Sequence, residues 1–192
     1  MRLVRDEDGI LIMRKESAYN GLQYRGLINL IESLCISNAI MIEIGCFAGE
    51  STKIFASSDK IKIIYAIDPW TSGYDNKDPA SKSNLSLVEK KFGGRMIDNP
   101  KCVKMKTTSL EAVKEFEDRS LDLVYIDGDH RYEAVKRDIC AWKPKLKRGG
   151  YLCGHDFGHP KYRGIEGVRL AFVDTLGDPD DTFEDSSCVY KC

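Results

Sequence analysis

No apolar run in the chain is long enough to span a bilayer, so a membrane partner is not expected. The 29 Lys and Arg residues are balanced by 30 Asp and Glu, and no basic stripe forms. That balance leaves a net charge of −1 and removes the electrostatic footprint of a nucleic-acid binder. No G-x-x-x-x-G-K-[ST] occurs, which argues against a P-loop. The seven cysteines contain no C-x-x-C, their number is odd, and several fall inside apolar runs. Reduced, mostly buried thiols are expected rather than a disulfide framework. The first residues break into Asp6, Glu7 and Asp8 and lack a signal-peptide core, so a cytoplasmic location is expected. Repeats, low-complexity segments and a second domain boundary are all missing. Residues 1–192 read as a single domain, with 1–37 an N-terminal extension and helix and 38–192 the core.

What the chain does have is a glycine turn after an apolar run, Ile42-Glu43-Ile44-Gly45-Cys46-Phe47-Ala48-Gly49-Glu50-Ser51-Thr52. Apolar residues from Ala39 read as a buried strand, and the segment from Glu50 can open a helix. Strand, glycine turn and helix N-terminus make a cradle for an adenosyl-type cofactor, because helix-end N–H groups are unpaired and carry partial positive charge. The loop is not the dinucleotide fingerprint G-x-G-x-x-G, since Phe47 stands where its second glycine belongs. Glu43, two residues before Gly45, suits a ligand bearing an ammonium group. Cys46 belongs to this turn by position and needs no thiol chemistry to explain it.

An apolar, β-branched run follows at 61–67, and further strand-like runs at 103–106, 121–126 and 150–154, after the first at 39–44. Helical patterns cover about 20–36, 50–58, 82–92, 109–117, 131–142 and 164–176. Ile10 to Met13 could form a short strand or lid. Alternating strands and helices predict a parallel sheet covered on both faces. The tail breaks that rhythm: Thr182-Phe183-Glu184 and Cys188-Val189-Tyr190 flank Asp185-Ser186-Ser187, which reads as a hairpin. Gly149-Gly150 reads as a tight turn entering the fifth strand. The polar loop from 69 to 83 is long enough to be a lid or binding loop.

In such a sheet, ligands bind at the carboxyl ends of the strands. Asp68 ends the second strand 23 residues after Gly45, a spacing that suits a carboxylate accepting from both ribose hydroxyls. Trp70 could cover an adenine or close the core. Ser109 is placed to cap the helix starting at Leu110. The fourth strand ends in Tyr125-Ile126-Asp127-Gly128-Asp129-His130-Arg131-Tyr132, and the fifth in His155-Asp156. Asp129 also fits a turn residue preceding the helix, and His130 a bridge to Asp156. His130, His155 and His159 together admit a zinc site.

The glycine turn resembles motif I of the class I S-adenosylmethionine-dependent methyltransferases. The Y-I-D-G-D-H-x-Y pattern is similar to the small macrocin- and cephalosporin-type O-methyltransferases and, more distantly, to catechol O-methyltransferase. The resemblance covers about residues 38–160. It implies a doubly wound, Rossmann-like α/β fold with a seven-stranded, mostly parallel sheet and a C-terminal antiparallel hairpin. It implies S-adenosylmethionine as cofactor, bound by Glu43, Gly45, Cys46, Phe47, Gly49, Ser51, Asp68, Ser109 and Asp127, with the Ser109 loop touching adenine. It also implies Mg²⁺ held by Asp127, Asp156 and His155, and His130 with Asp127 as the catalytic pair. Two departures stand out: His155 is not a carboxylate, and Phe157 replaces an amide ligand of the catechol-type enzymes.

The function expected is methylation of a hydroxyl on a small molecule or saccharide. Two rivals remain open. One is a metal-dependent hydrolase built on Asp127, His130, His155 and His159; the other is a cofactor-binding module without turnover. The loop 69–83 and residues 157–163 are expected to shape the acceptor pocket. Oligomeric state is not readable, a homodimer being one option.

Overall fold

The structure is a computed structural model that describes residues 3–5, 11–13, 22–78, 80–158 and 166–192. It begins with an antiparallel pair, β1 (Leu3–Arg5) and β2 (Leu11–Met13), registered Val4 to Ile12. Helix α1 (Leu22–Ser33) leads into β3 (Ala39–Ile44). Then come α2 (Glu50–Ser57), β4 (Ile61–Ile67), α3 (Leu85–Met96), β5 (Cys102–Met105) and the single turn α4 (Ser109–Ala112). The second half supplies β6 (Leu121–Ile126), α5 (Tyr132–Trp142), β7 (Leu146–Gly154), α6 (Glu166–Leu176), β8 (Asp181–Thr182) and β9 (Cys188–Lys191).

Seven strands pair in the order β5-β4-β3-β6-β7-β9-β8. The five strands from β5 to β7 are parallel, and β9 runs antiparallel to both β7 and β8. The chain moves outward from β3 to β5, then returns past β3 to lay down β6. That reversal opens a crevice above the carboxyl ends of β3 and β6.

Alternation along the strands decides which helices cover which face. Met41, Leu123, Tyr125 and Cys153 pack with Leu30 and Ile31 of α1 and Phe55 of α2. Ile42, Ile44, Val124, Ile126 and Leu152 pack with Ile139 and Trp142 of α5 and Phe172 of α6. The rings of Phe55 and Tyr125 meet edge-on at 5.0 Å, and those of Phe172 and Tyr190 stack at 5.6 Å. Among the described residues no helix is long and apolar enough to cross a membrane. All seven cysteines are free, and burial pushes the thiols of Cys46 and Cys153 well above their usual range. Neither thiol is poised to react.

Three elements have bounds that differ from expectation for identifiable reasons. Helix α3 begins at Leu85 rather than 82, because the Asn84 side chain accepts from the Leu87 N–H. It continues through Gly93 and Gly94 to Met96, because Leu85, Val88, Phe92 and Met96 form one buried face. Burial there outweighs the low helix propensity of glycine. Strand β7 begins at Leu146, so the glycine pair lies within it, at a register shift opposite Leu121–Leu123. A Cβ on Gly150 would come 3.1 Å from the Asp122 carbonyl oxygen, so glycine permits the close approach. Finally, α4 is capped by Thr108, whose hydroxyl accepts from the Glu111 N–H.

Ser109, expected to be that cap, serves a different purpose. Its hydroxyl donates to Asp138 Oδ1 (2.5 Å) and accepts from Trp142 Nε1 (2.8 Å), tying α4 to α5. Asp138 is 7% exposed, and burial pushes its carboxyl up to about 6 against the Ser109 hydrogen bond. An acid whose pKa rises on folding costs stability as pH climbs from about 4 through 6, because the native state holds the proton longer. Asp138→Asn keeps an acceptor for Ser109 and removes that cost. The variant should be more stable than the parent by about 2 kcal/mol at pH 8, with the difference vanishing near pH 4. Urea titrations at the two pH values measure it; equal gains at both would disprove the ionisation argument.

Candidate active site

The glycine turn stands over the crevice between β3 and β6. Gly45 and Gly49 take φ of +83° and +77°, and between them Phe47 takes +44° without being glycine. A Cβ on Gly45 would lie 2.1 Å from the carbonyl oxygen of Asp127, so the close packing of the two strand ends depends on its hydrogen. Arg95 of α3 donates to the Ala48 carbonyl and braces the outer side of the turn. Gly49 precedes α2 without a side-chain cap, leaving the first amides of that helix directed at the turn.

Asp68, at the end of β4, joins this turn directly. Its Oδ2 accepts from the Phe47 N–H (2.9 Å) and its Oδ1 from the Trp70 N–H (2.7 Å). Burial raises the Asp68 carboxyl more than these two bonds lower it. Each oxygen still has a lone pair for a ligand hydroxyl. Trp70 closes the core: it is 5% exposed, lies 5.2 Å from the Phe92 ring, and donates Nε1–H to the Phe47 carbonyl.

Glu43 departs from its expected role as an ammonium ligand. It is fully buried, and its two oxygens accept from Ser51 Oγ and Thr52 Oγ1, both at 2.5 Å. The cause is strand parity: residue 43 shares the α2 face with Met41, so its carboxylate reaches under the turn to the first turn of α2. Two hydroxyls offset its burial and fix α2 to β3. Ser51 is thereby drawn inward too.

The ends of β6 and β7 bring together four of the residues that the sequence singled out. His130 Nε2 lies 3.1 Å from Asp156 Oδ2 and 3.7 Å from Asp127 Oδ1. His155 Nδ1 lies 3.3 Å from Asp156 Oδ1 and 3.6 Å from Asp127 Oδ1. His130 Nε2 has no accessible surface and no aligned hydrogen-bond acceptor, so its approach to Asp156 is an ion pair rather than a hydrogen bond. Asp156 takes φ of +60°, a conformation that costs a non-glycine residue about 1 kcal/mol and that often marks a functional position. Asp129 has the turn role: it accepts from the Arg131 N–H at 3.0 Å and pairs with that guanidinium.

Two further carboxylates complete the cluster, and neither was singled out from the sequence. Asp78 comes from the loop after β4 and places Oδ2 3.6 Å from His130 Nδ1; Tyr74 and the Ala80 N–H hold it there. That loop was legible as a binding loop, but no local pattern marked Asp78. Asp185, in the hairpin turn, places Oδ2 4.0 Å from His155 Nε2 and is held by the Ser187 N–H and hydroxyl. Burial depresses the histidine pKa values, but the acids outweigh it. His130 is pulled well above its ordinary range and His155 up to about 10, while the two histidines hold Asp156 well below the usual carboxylate range despite its burial.

Residues 42–157 match the methyltransferase domain family. The chain belongs to that family. The strand order, with its antiparallel end, is the class I methyltransferase arrangement. The uncharacterised protein R132 of Acanthamoeba polyphaga mimivirus is 28% identical over 140 residues, which is 71% of this chain and 59% of that protein. Among solved structures, spermidine synthase from Thermotoga maritima superposes with a TM-score of 0.60 at 15% identity, over 96% of this chain and 63% of that one. CalS11, a TDP-rhamnose 3′-O-methyltransferase of calicheamicin biosynthesis, superposes with a TM-score of 0.57 at 16% identity, over 93% and 81%. The chain thus spans about three-fifths of the length of the mimivirus protein. The structural likenesses, at these identities, establish the shared fold.

The donor set fits S-adenosylmethionine. Uncapped helix amides suit its carboxylate, and Asp68 has lone pairs for ribose hydroxyls. Mg²⁺ fits less well. Asp127, His130 and Asp156 present ligand atoms all within 4.8 Å of one another, so the structure draws His130 into the group expected from Asp127, Asp156 and His155. Either set contains an imidazole, whereas Mg²⁺ prefers oxygen. His159 and the segment 159–165 lie outside the described residues, and with them part of the hydrolase reading.

Proposed function

We propose that this protein is an S-adenosylmethionine-dependent methyltransferase that methylates a hydroxyl on a small molecule or saccharide. The observation that carries the reading is the hydrogen bond from the Phe47 N–H to Asp68 Oδ2, 2.9 Å, which joins the glycine turn to the acid ending the next strand. A nucleoside lying across that junction meets the α2 amides at one end and the Asp68 carboxylate at the other. When bound, the cofactor supplies a methyl group already activated on sulfonium. The protein's task is then to align the acceptor and remove its proton.

Asp127, His130 and Asp156 stand at the other side of the crevice. His130 is the group suited to take the hydroxyl's proton, because Nε2 lies between Asp127 and Asp156 at the strand ends and makes no aligned hydrogen bond to either. The acids around it hold the imidazole protonated, so their charge must be offset before it acts as a base. The TDP-rhamnose O-methyltransferase neighbour supports hydroxyl acceptors, and the spermidine synthase neighbour marks the fold as open to other transfers.

Titration calorimetry with S-adenosylhomocysteine tests the cofactor, and transfer of a labelled methyl group from S-adenosylmethionine to a panel of hydroxyl acceptors tests the reaction. Asp68→Ala should weaken S-adenosylhomocysteine binding about 100-fold, since it removes charge-assisted hydrogen bonds to turn and ligand together. Unchanged affinity in that variant, with the fold intact by circular dichroism, would rule out the Asp68 site.

A further inference from the structure

We propose that the cavity at the amino ends of β6 and β7 binds a small organic anion, a carboxylate or phosphate monoester that carries an apolar body. Leu146 lines this cavity and pairs with Leu121 at the start of β6. Six residues of strand, about 20 Å, separate that pair from Asp127 at the other end of the sheet. The site is therefore distinct from the crevice beside the glycine turn.

Shape is the first argument. The cavity encloses about 640 Å³, inside the range of roughly 300–1,000 Å³ that small-molecule sites occupy. Ile139 and Leu146, both buried, form an apolar lining together with Pro144. A bare inorganic ion would make no use of that lining.

Charge is the second. Arg119, Lys143, Lys147 and Arg148 border the same cavity. Lys147 is paired with Asp122 at 2.7 Å, but Arg119, Lys143 and Arg148 make no ion pair among the described residues. Lys143 follows the last residue of α5, where a cation complements the helix dipole. That account does not extend to the arginines, one of which precedes β6 while the other lies within β7. The carboxyl ends of α5 and α6 contribute about one negative charge between them, and Asp180 near Cys192 adds another. Three unpaired cations exceed both. Arg119 also takes φ of +58°, so the backbone gives no reason for arginine there. Guanidinium forks match carboxylate and phosphate oxygens alike.

An unmet polar group is the third. Thr175 of α6 lines the cavity, and its Oγ1 is buried without a hydrogen-bond partner. Such a hydroxyl is costly to leave unpaired, and a ligand oxygen could satisfy it after one rotation about χ1.

The test uses the full chain and 8-anilinonaphthalene-1-sulfonate, a fluorescent anion with an apolar body. One molecule per chain should bind, with a dissociation constant below about 100 μM. Decanoate and phenyl phosphate, added as competitors, decide between a carboxylate and a phosphate head. Inorganic phosphate lacks the apolar body and should displace the dye only at roughly 100-fold higher concentration. Arg119→Gly, which suits the positive φ, and Arg148→Glu should each weaken the dye about 10- to 100-fold while urea midpoints hold. The dye should slow alkylation of Cys140, exposed in the cavity wall, and leave exposed Cys35, outside the cavity, unaffected. Dye binding that survives both arginine changes would overturn the proposal. So would displacement by neither organic anion, displacement by inorganic phosphate as readily as by them, or an unprotected Cys140. None of these readouts passes through S-adenosylhomocysteine, so their failure leaves the methyltransferase reading intact, and failure of that reading leaves this site standing.

Discussion

Replacing Gly45 with alanine is expected to destabilise the protein by about 4 kcal/mol and to abolish S-adenosylhomocysteine binding. Two effects combine. The backbone is left-handed there, at φ +83°, which a Cβ tolerates at a cost of about 1–2 kcal/mol. The larger effect is the contact: the new carbon would sit 2.1 Å from the Asp127 carbonyl oxygen and 2.5 Å from its carbonyl carbon. Backbone cannot rotate away as a side chain can. The ends of β3 and β6 must part, and the Asp127 N–H to Ile44 carbonyl bond, 2.9 Å, lies between them. That separation displaces the turn from Asp68 and Asp127 from His155. Gly73→Ala provides the control. Gly73 has the same φ of +83° but nothing within 4 Å of a Cβ, so only conformational strain applies. Urea unfolding of both variants should show Gly45→Ala several-fold more damaging. Equal, small losses would mean that strain alone governs Gly45 and that the strand ends are not in close contact.

The fold was legible because its signals are local and repeat. Five strand cores stand as apolar runs, and the turn Gly45-x-x-x-Gly49 marks where the first one ends. The expected hairpin at 182–190 is present as β8 and β9. What escaped reading depends on partners distant in the chain. Helix α3 runs past its glycines because Phe92 packs on Trp70. Ser109 looks like a cap until Asp138 and Trp142, on another helix, claim its hydroxyl. Glu43 looks like a ligand residue when counted from the glycine, but strand parity turns it to the opposite side. In the cluster, Asp127, His130, His155 and Asp156 announce themselves at strand ends. Asp78 and Asp185 do not, since a lone acid in a polar loop or hairpin turn carries no periodicity to set it apart.

His130→Ala should lower methyl-transfer turnover by about 10²- to 10⁴-fold, the usual loss on removing a general base, while S-adenosylhomocysteine affinity stays within threefold. The division follows from position: the turn that cradles the cofactor is joined to Asp68, whereas His130 contacts Asp78, Asp127 and Asp156. A purely structural His130 predicts something else. Its loss would leave three carboxylates facing one another, loosening the loop and weakening turnover and cofactor affinity together. Stability separates the two cases further. A histidine whose pKa rises on folding contributes stability in full below about pH 6.5, and that contribution is lost as pH climbs through the raised value. His130→Ala should therefore show its largest deficit near pH 6 and a shrinking one in alkaline solution. His130→Gln retains a hydrogen-bonding group without a basic nitrogen, and it should recover part of the stability and none of the turnover. Recovery of turnover by glutamine would show that His130 orients the acceptor rather than accepting its proton.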